Sequence, residues 1–151
     1  PSLWVTHSVS SSTKGAVRWY QVNVSTATPS IKQSGTFAPD TANNRWMGSI
    51  AVDKVGNAAV GYSASGTTLY PALRYAGRTA AATAGTFDQG EQTLIAGTGA
   101  QKGGYSRWGD YSDLALDPSD GCTFWFTGEY YSMTGNAWRT RIGSFKLPTC
   151  V

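Results

Sequence analysis

Two stretches decide the fold: RWMGSIAVDKVGNAAVGYS, residues 45–63, and RWGDYSDLALDPSDGCTFWFTGEY, residues 107–130. Each opens on Arg-Trp, runs into an alternating apolar segment that ends at an aspartate, turns through glycine, and emerges in a second alternating run. Alternation bounded by turn residues marks an antiparallel hairpin. Ser49–Asp53 corresponds to Asp113–Asp117, with two residues inserted after the second tryptophan. The chain therefore repeats itself.

Working outward, a third strand follows each hairpin, TLYPALRYAGR around Arg74 and AWRTRIGSFKL around Arg141. The N-terminal segment supplies SLWVTHSV, then GAVRWYQVNV with Arg18 at the matching place. SIKQSGTFAP and EQTLIAG read as fourth strands, each leading to the next Arg-Trp. The expectation is ten strands in groups of three, four and three, over residues 1–39, 45–97 and 107–151. Four-stranded antiparallel units repeated along a chain argue for blades of a β-propeller, here about two and a half of them.

SIAVDKVGNAAVGYS resembles the first hairpin of NHL-type propeller repeats. DPSDGCTFWFT resembles the Asp-box turn of sialidase-like propellers, with Ser119 standing where the motif's aspartate belongs. The resemblance implies an all-β propeller segment. A ring needs at least four blades, so the remaining blades are expected from the same precursor or from another chain.

Composition supports the same class. The 151 residues include 18 Gly, 6 Trp and 8 Tyr, with only 14% charged residues, which suits a turn-rich β-protein. The net charge of +3 is carried by scattered basic residues, so a nucleic-acid partner is not expected. No apolar run approaches the roughly 20 residues that span a bilayer. A start at Pro1, with a strand-like segment immediately after it, suggests a processed N-terminus.

In a blade, Cys122 opens the second strand and Cys150 follows the third, which brings both to one end of neighbouring strands. A disulfide is expected there, and with it a secreted or extracytoplasmic location. The opposite end gathers Arg107, Trp108, Asp110, Tyr111 and Asp113 from one connection and Glu129, Tyr130 and Tyr131 from another, beside Arg45, Trp46, Tyr62 and Ser63, with His7 at the corresponding level. The recurring tryptophans suit packing between blades, and Arg45 and Arg107 suit bonds to adjacent carbonyls. Asp53 and Asp117 suit turn capping. Arg18, Arg74 and Arg141 suit a structural ladder.

The residues without a counterpart in the earlier copy carry the functional reading: Asp110, Tyr111, Asp113, Glu129, Tyr130 and Tyr131. Acids, tyrosines and an arginine together can hold a polyol while a sugar ring stacks on an aromatic face. The expected function is an exported module binding carbohydrate or another extracellular surface. The alternatives are a fragment of a sialidase-like glycoside hydrolase, with Asp110, Asp113 or Glu129 in acid-base roles and Tyr130 beside Glu129 as nucleophile, or a purely structural domain. No cofactor is expected, and one histidine with two cysteines excludes the common zinc sets. Asp117 and Asp120 match no EF-hand spacing. Asn23-Val24-Ser25 is a glycosylation sequon.

Overall fold

The computed structural model describes residues 1–103 and 106–151. Ten strands form three antiparallel sheets, with no helix among the described residues. The first sheet holds β1 (Ser2–Ser11), β2 (Lys14–Asn23) and β3 (Ser30–Phe37) in that order. The middle sheet holds β4 (Asn43–Val52), β5 (Ala58–Gly66), β6 (Leu69–Arg78) and β7 (Glu91–Ile95). The last holds β8 (Asp113–Leu116), β9 (Phe124–Tyr130) and β10 (Arg139–Phe145). Every neighbour in a sheet is also its neighbour in sequence, as the period-2 patterning of the repeats predicts.

The middle sheet lies between the other two, and its composition follows from that position. β5, AAVGYSASG, is buried over its first seven residues, the pattern of a strand covered on both faces. Val60, Tyr62, Ala64 and Ala76 face Val17 and Phe37 of the first sheet. Ala59 and Leu73 face Leu114, Phe124 and Phe126 of the last. Gly61 is required for the second contact: a Cβ there would sit 2.6 Å from the Phe126 ring.

Asp53 and Asp117 build the two hairpin turns. The Asp53 carboxylate accepts the Val55 and Asn57 N–H groups and the Asn57 side-chain amide at 2.7–3.1 Å. Asp117 accepts the Ser119 N–H and hydroxyl and the Trp125 indole N–H. The turns lie side by side, joined by the Lys54 N–H donating to Gly121 O at 2.8 Å. Cys122 and Cys150 form a disulfide at this end, with Cα atoms 5.5 Å apart. The chain after β10 is held further by Leu147, which fills the space above Gly77, and by the Thr149 hydroxyl on Asn57.

The three mid-strand arginines do not share one environment. Arg18 bonds the Thr36 and Ser34 hydroxyls, Arg74 pairs with Glu91, and Arg141 is exposed. Each takes whatever its own sheet supplies, so the matching positions do not make a ladder.

Candidate functional site

The end of the molecule opposite the disulfide carries two adjoining clefts. The first, about 410 Å³, lies between the β7–β8 connection and the β9–β10 connection. Its lining comes from Gln101, Lys102, Arg107, Trp108, Gly109, Asp110 and Tyr111 on one side and Glu129, Tyr131, Asn136, Trp138 and Thr140 on the other. The second, about 800 Å³, lies between Trp46, the β5–β6 turn with Thr67 and Thr68, Tyr70 at the start of β6, and the same stretch around Gln101, Arg107 and Trp108. Both volumes fall in the ~300–1,000 Å³ range of small-ligand sites.

The walls are tied together by backbone bonds. Thr98 and Gly99 donate to Tyr131 O, Gly135 donates to Ala100 O, and Lys102 donates to Gly135 O. A ligand entering either cleft would meet connections already crosslinked to each other, an arrangement that lowers the ordering cost of binding.

An aromatic series separates the clefts. Trp46 meets Trp108 edge to face at 5.7 Å, and Trp108 stacks on Tyr131 at 5.6 Å. The Trp108 indole N–H donates to Ser63 at 2.9 Å. Packing accounts for both repeated tryptophans, and each still presents a surface to a cleft. Arg107 is held by Asp110 through its Nε at 2.9 Å and a second contact from Nη2. Glu129 accepts the Gly109 N–H at 2.8 Å. Burial first, and then the neighbouring Glu129 charge, push the Tyr131 phenol above its ordinary pKa.

The first cleft brings Arg107, Trp108, Asp110, Tyr111, Glu129 and Tyr131 together. Trp46 lines the second. Arg45 reaches neither: its side chain is 0% exposed and bonds Glu91 through Nε at 2.6 Å and Nη2 at 3.1 Å, with Asp40 also on Nη2. Its partners are carboxylates from β7 and the β3–β4 connection, not carbonyls of an adjacent sheet, although one bond goes to Asn43 O. Tyr62 is buried and donates to the same Glu91. Asp113 lies outside both linings, within 3.4 Å of the Ser49 hydroxyl.

Tyr130 also lines neither cleft, for a reason of parity. Phe124 and Phe126 point to the middle sheet, so Tyr130 falls on their side of β9 and Glu129 on the other. The tyrosine beside Glu129 is Tyr131. His7 sits on the first sheet against Tyr20. Among the described residues no group of three or more His, Cys, Asp or Glu is placed to hold a metal ion. Asp120 is occupied by the Cys122 and Thr123 N–H groups, the Thr123 hydroxyl and Lys146.

Sequence reasoning passed over Gln101, Lys102, Asn136, Trp138 and Thr140. Trp138 had one available signal, since a large aromatic precedes β10 where the middle sheet has Pro71 before the corresponding part of β6. No protein-family model, curated protein or solved structure matches this chain.

Proposed function

We propose that the chain is an exported carbohydrate-binding module that holds its ligand in the first cleft. The observation that carries the reading is the pairing of displayed aromatic faces with fixed polar groups. Trp138 is 63% and Tyr111 91% exposed, and both line the cleft. Gln101, Asn136, Thr140, Glu129 and the Arg107–Asp110 pair surround them. Sugars present hydroxyls around weakly apolar C–H faces, so stacking and hydrogen bonding act on the same ring.

Hydrolysis has one point in its favour, the proximity of Tyr131 to Glu129. Exposure weighs against it: Tyr131 is only 1% exposed and stacks with Trp108, so little of its side chain is open to a substrate. Asp110 is engaged by Arg107 and Asp113 is outside the cleft, which leaves Glu129 without the second free carboxylate that glycoside cleavage ordinarily uses.

The module is, on this reading, a segment of a β-propeller whose other sheets come from further polypeptide. Three features support it: the same strand order in successive sheets, the passage from the last strand of one sheet to the first of the next, and the adjoining hairpin turns. Leu3 and Ile31 on the first sheet and Trp125 and Ile142 on the last leave apolar surface exposed for such neighbours. The disulfide is compatible with export.

A glycan array probed with the folded, oxidised chain tests the function. The expected outcome is signal on a subset of glycans that falls at least about tenfold for Trp138→Ala, as loss of one stacking aromatic implies. Signal unchanged by both Trp138→Ala and Tyr111→Ala, or absent from every glycan, overturns the reading.

A further inference from the structure

The two clefts occupy equivalent places in successive repeats. Each lies beside the tryptophan of its Arg-Trp, Trp46 or Trp108, and reaches the connection between the second and third strands of its own sheet. Each adds an aromatic face beside that connection, Tyr70 at the start of β6, 51% exposed, in one and Trp138 just before β10 in the other. They share Gln101, Arg107 and Trp108 as a common wall. A repeated site on a repeated scaffold suits a ligand that repeats as well.

We infer that the clefts are consecutive subsites for one neutral, linear polysaccharide, which crosses from Trp138 over the Trp108 wall to Tyr70. The inference rests on the carbohydrate reading above and deepens it by naming the ligand class. Neutrality follows from the charges lining the path. In the first cleft Lys102 and Arg107 are balanced by Asp110 and Glu129, and Arg107 is already paired. The second contains no charged lining residue except that same Arg107, and offers Ser65, Thr67 and Thr68 hydroxyls. An acidic polymer would meet two carboxylates and no cluster of free cations among the described residues. Two linked contacts on one chain gain affinity from effective concentration, because the second event becomes intramolecular.

Isothermal titration calorimetry with cello-, xylo- and manno-oligosaccharides, from disaccharide to hexasaccharide, tests this directly. In the responsive series, affinity is expected to rise by about tenfold or more from the shortest to the longest member. Tyr70→Ala, at an exposed position, should abolish that rise, whereas Trp138→Ala should weaken every length. Equal affinity for all lengths, untouched by Tyr70→Ala, overturns the two-subsite inference and leaves single-cleft binding intact. Oligogalacturonate binding tighter than any neutral series overturns the neutral assignment. Binding of no oligosaccharide at all removes the carbohydrate reading together with the inference built on it.

Discussion

Arg45-Trp46 and Arg107-Trp108 are the same dipeptide at the same place in a repeat, and their arginines have opposite fates. Arg45 lies inside β4, is 0% exposed and is bound by Glu91 and Asp40. Arg107 lies before β8, is 79% exposed and is bound by Asp110 three residues on. The cause is the strand that follows. Glu91 belongs to β7, the fourth strand of the middle sheet, and it gathers Arg45, Tyr62 and Arg74 onto one carboxylate. The last sheet has three strands and supplies no such acid. There the outer strand is tied instead by the disulfide and by Leu147 against Gly77. Equivalent sequence thus gives a buried ion cluster where a fourth strand is present, and an exposed arginine, paired only within its own connection, at the cleft where it is not.

The sharpest way to break this comparison is to remove both arginines in turn. Arg45→Ala leaves Glu91 half-buried with a lost partner and should cost about 3–5 kcal/mol in equilibrium urea unfolding. Arg107→Ala should fall within about 0.5 kcal/mol of the parent, as exposed pairs do. Similar losses for the two would mean that Arg107 has a structural role this geometry does not give it.

Next in size is the closure of the last sheet. Cys122→Ala with Cys150→Ala opens a link between residues 28 apart in sequence, and a loss of about 2–4 kcal/mol is expected from loop entropy. The effect should be local as well: hydrogen exchange in β10 should accelerate more than in β7, whose anchor is ionic. Uniform acceleration through both sheets would contradict the separate anchoring of the two edges.

A third test uses the faces that look outward along the stack. In the middle sheet, Ala59 stands opposite Ala51 and Gly77, and Gly61 stands opposite Ser49 and Tyr75. In the last sheet, the corresponding rows are Trp125 with Ala115 and Ser144, and Thr127 with Asp113 and Ile142. Apart from Tyr75, which stacks on Phe145, the covered face is small, and the uncovered face is larger and more polar. Gly61→Val should therefore cost about 1–3 kcal/mol by overpacking against Phe126. Thr127→Val, on the open face, should change stability by less than about 0.5 kcal/mol.

These contrasts also mark what was legible in the chain. Strand order and hairpin turns could be read because they depend on local alternation and on Asp53, Gly56, Asp117 and Gly121 acting within a few residues of themselves. The cysteine pairing followed from strand direction alone. The burial of Arg45 could not be read, because its partner Glu91 is 46 positions away and nothing local distinguishes it from Arg107. The cleft was half legible. Asp110, Tyr111, Glu129 and Tyr131 stood out as unshared residues beside the repeated Arg107-Trp108, but Trp138 and Gln101 enter it through irregular connections with no periodicity to place them. The choice of Tyr131 over Tyr130 beside Glu129 is a matter of one residue's parity at the end of β9, where strand alternation gives way to the following turn.

The smallest expected effect separates the two anchors by their response to acid. Desolvation opposes ionisation of Glu91, but its bonds to Arg45, Tyr62 and Arg74 outweigh it and hold the carboxyl below its ordinary pKa. The Arg45 contact, opposed by burial and helped by the Asn43 and Ala42 N–H bonds, lowers Asp40 in the same way. A carboxyl whose folded pKa is depressed contributes stability that is present above its unfolded pKa and lost as pH falls toward the folded one. The urea midpoint should therefore hold steady from neutrality to about pH 5 and decline below about pH 4, where unfolded carboxylates take up protons. Asp120 is lowered too, chiefly by Lys146, but that pair is solvated, so its share of the acid loss should shrink in about 0.5 M salt. The share from the buried cluster should persist in salt and flatten in Arg45→Met. An acid limb that salt removes entirely, or that Arg45→Met leaves as steep as before, would show that the fourth-strand carboxylate is not what separates the middle sheet from the last.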